Sequence, residues 1–228
     1  MSTSKHKSAS DAELARDYFG SFADDYQQAF EGRGRHPLHA IINRLFRRKT
    51  FQLRTAVVKT YLTDLGVAGK TIADVGCGTG EVSIEAARLG AKRVLGLDIA
   101  PAMVRTAAGA AEAAGVSAIA SFHVQNVLKD PCPPCDIAMM VGVIEYYHDL
   151  DALFAAVAPA AREALVIVDT RGPWWRRTLR YGLAKAKRFH LYYRSPDAVS
   201  AIVQRHGFVE DRRHLGHSFS ALRFRRRA

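Results

Sequence analysis

Cysteine is scarce in this sequence: three residues in 228, an odd number. That excludes a disulfide framework and points to a reducing, cytoplasmic setting. No run of about 18 apolar residues occurs, so no membrane-spanning helix is expected. Met1 to Ser10 is polar and lacks the apolar stretch of a secretory signal; it reads as a disordered lead-in. There is no internal repeat and no long low-complexity segment, which excludes a repeat array. Cys132-Pro133-Pro134-Cys135 has the C-x-x-C form, but no second ligand pair stands nearby at zinc spacing, and a strand rather than a helix follows it. It reads as a stiff loop with no metal, and Cys77 as a small buried residue.

Negative charge is also in deficit, with 22 Asp+Glu against 33 Lys+Arg and a net charge of +11. The excess is uneven. Residues 71–159 carry 5 basic against 10 acidic side chains, whereas residues 160–228 carry 16 against 5. Basic flanks around an acidic middle suit an anionic substrate, RNA or an anionic membrane surface, or they serve solubility alone.

What is present is a rhythm. Asp11 to Phe30 reads as a helix with Leu14, Tyr18, Phe22 and Tyr26 in steps of four, and Pro37 to Tyr61 as one long helix or two. Strands and helices then alternate: Thr71–Val75, helix Val82–Leu89, Arg93–Leu97, helix Pro101–Ala114, Ser121–Val124, Ile137–Val143, helix Asp151–Ala160, Ala164–Val168. Short connections between such elements imply a parallel sheet covered on both faces. The basic, aromatic segment 171–194 interrupts this order. Ser195 then reads as the N-cap of a helix that ends at Gly207. Phe208–His214 and Ser218–Arg225 read as an antiparallel hairpin. The expectation is an α/β, doubly wound, mostly parallel seven-stranded sheet with an antiparallel terminal hairpin, an N-terminal helical extension and a helical insert before the last two strands.

The sharpest local signal is Asp74-Val75-Gly76-Cys77-Gly78-Thr79-Gly80. An apolar strand runs into a turn of three glycines that a helix follows, leaving free N–H groups beside a backbone without Cβ atoms. Asp98 ends the next strand, where nucleotide-binding α/β folds place a carboxylate for ribose hydroxyls. The glycine spacing is G-x-G-x-G and not the G-x-G-x-x-G of dinucleotide sites.

The stretch resembles the first motif of the Rossmann-like S-adenosylmethionine-dependent methyltransferases, and the resemblance extends over roughly Tyr18 to Phe224, with its specific matches in 72–148. It implies one methyltransferase domain over 11–228. Its parts would be N-terminal helices 11–65, a cofactor-binding core 71–170, a lid 171–194, and a closing helix and hairpin 195–228. It implies S-adenosyl-L-methionine as cofactor, with Asp74, Gly76, Gly78 and Gly80 at the amino-acid half and Asp98 at the ribose. Ile99 and Met103 would flank the adenine, with Val127 beside them. Val141 would lie beside the methionine moiety, and Tyr18 and Tyr26 in a lid helix. Asn126 stands where the family usually has Asp; its amide oxygen can accept the same hydrogen bond from the adenine amino group.

Glu145-Tyr146-Tyr147-His148 follows the fourth strand at the end of the sheet where ligands bind. Methyl transfer needs the acceptor aligned with the S–CH₃ axis, and a hydroxyl or ammonium acceptor must also lose a proton. His148 is the natural base, Tyr147 could orient the acceptor, and Glu145 could hold the His or the substrate. In the insert, Trp174, Trp175 and Tyr192 offer aromatic surface, and Arg171 and Arg194 offer cations. That mixture suits a small anionic acceptor with aromatic or apolar bulk. The layout resembles the magnesium-protoporphyrin methyltransferases, although the 145–148 loop departs from theirs. The alternatives are a methyltransferase acting on RNA or on lipid at an anionic membrane, an NAD-dependent oxidoreductase, and a non-catalytic cofactor-binding regulator. RNA lacks a recognition module in this sequence, and oligomeric state is not legible.

Overall fold

The computed structural model describes Arg16, residues 48–171 and residues 190–227, and from residue 48 onward the first element is helix α1 (Arg48–Asp64). The chain continues through β1 (Thr71–Val75), α2 (Glu81–Arg88), β2 (Arg93–Asp98), α3 (Pro101–Ala113) and β3 (Ala120–Val124). Then come β4 (Cys135–Val141), α4 (Leu150–Val157), β5 (Ala161–Thr170), α5 (Pro196–Arg205), β6 (Phe208–Leu215) and β7 (Phe219–Arg226). The expected helix 11–30, with Tyr18 and Tyr26, and residues 172–189, with Trp174 and Trp175, lie outside the described residues.

The strands form one seven-stranded sheet in the order β3-β2-β1-β4-β5-β7-β6. All pairings are parallel except β5–β7 and β7–β6, so the expected fold class and closing hairpin hold. Side chains alternate between two cores. Ile72, Ile137, Met139, Val166 and Ala221 face one side, with Val58 and Leu62 of α1 and Ile84 of α2. Ala73, Met140, Leu165, Ile167 and Phe224 face the other, with Phe154 of α4 and Val203 of α5. Central β4, Cys-Asp-Ile-Ala-Met-Met-Val, is apolar on both faces, as a doubly covered parallel strand must be. Edge strand β6 carries Glu210, Asp211, Arg212 and Arg213, charges that discourage pairing with another chain.

Local chemistry sets most boundaries. Ser195 Oγ accepts from the Ala198 N–H at 3.1 Å, with Pro196 first in α5. Asp149 Oδ1 accepts from the Ala152 N–H at 3.0 Å, so α4 starts at Leu150, one residue before the expected Asp151. It gives way after Val157 to a 3₁₀ turn, Ala158–Ala160, at Pro159, whose missing N–H cannot extend the helix. β4 begins at Cys135, two residues early, through an irregular pairing with Ala161. A bulge between Glu210 and Arg212 leaves Asp211 out of register, and its carboxylate collects Arg223 at 2.8 and 2.9 Å and Arg225 at 2.9 Å.

Candidate cofactor and active site

Strand β1 has β2 on one side and β4 on the other, so the connections depart in opposite directions from this point. Open α/β sheets bind ligands at such a point, outside the carboxyl ends of the strands. A cavity lies there, with about 1110 Å³ of space counted out to its open mouth. Its wall includes Asp74, Gly76, Gly78, Asp98, Ile99, Met103, Val127 and Val141, eight residues that the sequence singled out.

The three loop glycines all have positive φ, but for different reasons. A Cβ at Gly76 would stand 2.3 Å from Val143 Cγ2, and one at Gly80 would stand 2.9 Å from Ala107 and Phe122. Those two glycines permit close packing. A Cβ at Gly78 would meet nothing within 4 Å, so this residue keeps the backbone bare toward the cavity. The Gly76 and Cys77 N–H groups donate to Leu97 O, and the Gly78 N–H donates to Asp98 Oδ2 at 2.9 Å. Asp98 Oδ1 accepts from the Ala100 N–H at 2.9 Å. Burial raises the Asp98 carboxyl, and these backbone bonds pull it back.

Asp74 is 1% exposed. Its Oδ2 accepts the Ser83 hydroxyl at 2.6 Å, while its Oδ1 has no partner. Burial pushes its carboxyl up to about 6; Ser83 opposes the shift and the Asp98 charge adds to it. A buried acceptor without a donor costs about 1–3 kcal/mol, a cost that a ligand's N–H can remove. A bare glycine cradle, a ribose-height carboxylate and a buried acceptor awaiting a cation fit S-adenosylmethionine.

The remaining expected residues divide between the wall and its surroundings. Gly80 shapes the loop from behind and does not line the cavity. Asn126 spends its Oδ1 on the Leu128 N–H at 3.0 Å, closing a turn, and it is Gln125 that reaches the wall. Tyr147 lines the cavity and is buried; burial, then the Asp98 charge, raises its phenol, so it stays a donor. Glu145, 1% exposed, and His148, exposed, are not on the wall. His148 meets the Tyr192 ring edge-on at 5.1 Å. The 190–194 segment acts as a strap. The Tyr192 N–H donates to Glu145 O at 2.8 Å, Arg194 donates to His148 O, and Leu191 packs on Tyr146 and Tyr193. Tyr192 and Arg194, expected against substrate, are used here to hold the Tyr146-Tyr147 turn, and neither lines the cavity. Arg171 is exposed, with its N–H on Ser218 O at 2.8 Å.

The sequence reading missed the wall contributed by α1: Phe51, Arg54 and Thr55. They extend the buried stripe of Val58, Tyr61 and Leu62, and an Arg and a Thr on that stripe were the available signal. Glu81 joins them, accepting from Thr55 Oγ1 at 2.8 Å. All three cysteines are free and buried, and burial pushes Cys132 up to about 11 and Cys135 up to about 12.

The methyltransferase domain family matches residues 72–163. A ribosomal protein L11 methyltransferase of Edwardsiella ictaluri is 44% identical over 147 residues, 54% of this chain and 50% of that protein. That of Erwinia tasmaniensis is 41% identical over 76 residues, 33% of this chain and 26% of that protein. The chain thus spans half or less of the length of these relatives. Among solved structures, magnesium protoporphyrin IX methyltransferase from Synechocystis PCC 6803 with bound S-adenosylhomocysteine superposes with a TM-score of 0.77 at 23% identity, covering 95% of this chain and 99% of that one. Residues 72–163 thus match a methyltransferase domain, in a chain that shares the fold of a solved S-adenosylmethionine-binding methyltransferase.

Proposed function

We propose that this chain is a methyltransferase that moves the methyl group of S-adenosylmethionine to a small anionic acceptor with apolar bulk. The observation that carries the reading is the unpartnered, buried Asp74 Oδ1 on the wall of the glycine-loop cavity. Bound there, S-adenosylmethionine supplies a methyl carbon made electrophilic by its sulfonium. Asp74 takes the ammonium, and the bare backbone at Gly78 lets the amino-acid chain lie close. Asp98, already tied to Gly78 and Ala100, keeps its remaining acceptor capacity for the ribose. Ile99, Met103 and Val127 give the adenine apolar walls.

Tyr146 and Tyr147 form the acceptor end beside Val141 and Gly142. Tyr147 orients an acceptor oxygen by donating to it. With Glu145 and His148 off the wall, alignment carries the reaction and no dedicated base is assigned. The acceptor class rests on segment 171–194. It leaves the sheet at Thr170 and returns through the strap against Tyr146. Its Arg and aromatic content is read from the sequence, since residues 172–189 lie outside the described residues.

Among the described residues, the arginines of the closing hairpin give little support to a nucleic-acid or membrane reading. Arg212 pairs with Asp64, Arg213 with Glu210 and Asp197, Arg223 and Arg225 with Asp211, and Arg226 with the carbonyls of Ala158 and Ala161. Arginines satisfied within the fold offer little to phosphates. No helix among the described residues is long and apolar enough to cross a membrane. A protein acceptor is the second reading, supported by the identity to the L11 methyltransferases. Calorimetry tests the first step: S-adenosylhomocysteine binds and NAD does not, and the opposite result overturns the proposal. Transfer of labelled methyl from S-adenosylmethionine to an extract, fractionated into small molecules, ribosomal proteins and RNA, identifies the acceptor class.

A further inference from the structure

The glycine loop opens helix α2, and in nucleotide-binding folds such a junction is an anion site. Free N–H groups and the positive end of the helix there face a phosphate. In this chain the N–H groups are occupied from within. Those of Gly76 and Cys77 donate to Leu97 O at 2.7 and 3.1 Å, that of Gly78 to Asp98 Oδ2, and that of Gly80 to Cys77 O at 2.9 Å. Four of the five loop N–H groups from Gly76 to Gly80 are thus engaged inside the fold. Glu81, the first residue of α2, adds a carboxylate at the positive end of the helix. It lines the cavity and accepts the Thr55 hydroxyl at 2.8 Å.

The wall therefore has the reverse charge of a phosphate cradle. Among the described residues it carries three carboxylates, Asp74, Glu81 and Asp98, and one guanidinium, Arg54, whose Nε is buried without a hydrogen bond. The Arg54 charge reaches Glu81 and offsets part of the excess. Asp74 supplies an independent sign that a cation belongs here, since its buried Oδ1 has no partner. We propose that this wall selects the cationic cofactor over its neutral product, so that S-adenosylmethionine binds more tightly than S-adenosylhomocysteine, and that Glu81 is the residue responsible for the preference. The inference rests on the cavity being the S-adenosylmethionine site and adds to that reading how the site treats its product.

The two molecules share adenosine, ammonium and carboxylate, and they differ by one methyl and one positive charge at sulfur. Contacts to the shared parts cancel in the ratio of their affinities, so the ratio reports the potential that the wall sets at the sulfur. Three negative groups against one positive make that potential negative, and low-dielectric walls keep it from being screened as it would be on an open surface. Asp74 has the ammonium to hold and Asp98 the ribose. Glu81 has neither task, and its charge is left for the sulfonium. Methyl transfer breaks the S–CH₃ bond, and sulfur keeps the electron pair and becomes a neutral thioether. The attraction to the wall is lost in the same step, which favours release of the product.

The experiment is calorimetry at pH 8 with three probes: S-adenosylmethionine, S-adenosylhomocysteine, and sinefungin, in which a carbon bearing an ammonium replaces the methylsulfonium. Asp74 and Glu81 are ionised at this pH, their carboxyls lying at about 6 and about 7. The wild-type chain binds S-adenosylmethionine and sinefungin about tenfold more tightly than S-adenosylhomocysteine. Glu81→Gln, whose amide oxygen can still accept from Thr55, lowers the preference to about threefold or less and leaves S-adenosylhomocysteine within about twofold. Glu81→Asp keeps the charge and retains the preference. Inorganic pyrophosphate does not displace S-adenosylhomocysteine. Equal or tighter binding of S-adenosylhomocysteine by the wild-type chain overturns the proposal, whether or not the variants fold. A preference unchanged in Glu81→Gln, or lost as fully in Glu81→Asp, overturns the part given to Glu81. Displacement by pyrophosphate shows loop N–H groups open to anions and overturns the charge reversal. If none of the three probes binds the wild-type chain, the cofactor reading itself fails. If all three bind and S-adenosylhomocysteine is the tightest, that reading stands and only the charge selection fails.

Discussion

Ser83 donates its hydroxyl to one oxygen of Asp74 at 2.6 Å and leaves the other oxygen facing no donor. The same carboxylate is therefore fixed in orientation and incomplete in bonding, which is a preorganised acceptor. Asp74→Asn keeps the shape and removes the charge, and S-adenosylhomocysteine affinity is expected to fall about 10- to 100-fold by calorimetry. The pH dependence follows from the raised carboxyl. The charge that attracts the ammonium is present above about 6 and lost below it, so affinity falls as pH drops through that value. In the apoprotein the raised carboxyl has the opposite consequence. Its ionisation is disfavoured by folding, so its contribution to stability declines as pH rises from the unfolded value of 3.8 through about 6. Urea unfolding of wild type and Asp74→Asn across that window checks the sign, because the variant lacks the decline.

Gly76 and Gly78 respond differently to alanine. Both have left-handed φ, 72° and 53°, which costs an L-residue about 1–2 kcal/mol. Only Gly76 has Val143 in the way, at 2.3 Å from the added carbon. Gly76→Ala is expected to lose stability beyond the conformational cost, read by chemical denaturation. Gly78→Ala is expected to lose about that cost alone and to lose cofactor affinity, because its methyl enters open cavity space.

His148 is exposed and packs on Tyr192, outside the cavity wall. His148→Ala is expected to leave S-adenosylhomocysteine affinity within about twofold, with the calorimetric error as the limit. Once an acceptor is identified, the pH–rate profile of this variant should superpose on that of the wild-type chain. A lost limb in the profile would return His148 to the role of base.

The Arg223 guanidinium is nearly buried and donates to Asp211 at 2.8 and 2.9 Å, with Asp64 also in reach at 3.2 Å. Asp211→Asn leaves that charge short of a partner, and a loss of about 3 kcal/mol is expected in urea unfolding. Burial alone would raise the Asp211 carboxyl, but Arg223 and Arg225 outweigh it and hold it below its usual range. Its contribution is therefore present at neutral pH and lost as pH falls through the depressed value, so the wild-type advantage over Asp211→Asn shrinks in acid.

The glycine loop, Asp98, the strand–helix order and the closing hairpin were legible in consecutive residues. Each is a local demand: positive φ favours glycine, a buried parallel strand calls for an apolar run, and Ser195 caps the helix that follows it. The turn bond of Asn126 was not legible in the same way: its oxygen accepts from the Leu128 N–H, a contact that the expected adenine role did not foresee. The wall built by Phe51, Arg54 and Thr55 was not legible, since only the packing of α1 against α2 brings those residues to Glu81. Nor was the fate of the basic tail. Arg223 meets Asp64 across 159 positions, and Arg223 and Arg225 meet Asp211 only because a bulge in β6 turns that residue out of register. Sequence determined which backbone conformations and which faces the chain would have. Tertiary structure decided which charges cancel one another and which two, Asp74 and Arg54, keep a buried atom unsatisfied at the cavity. Burial and partnership depend on distances between elements that no local pattern encodes.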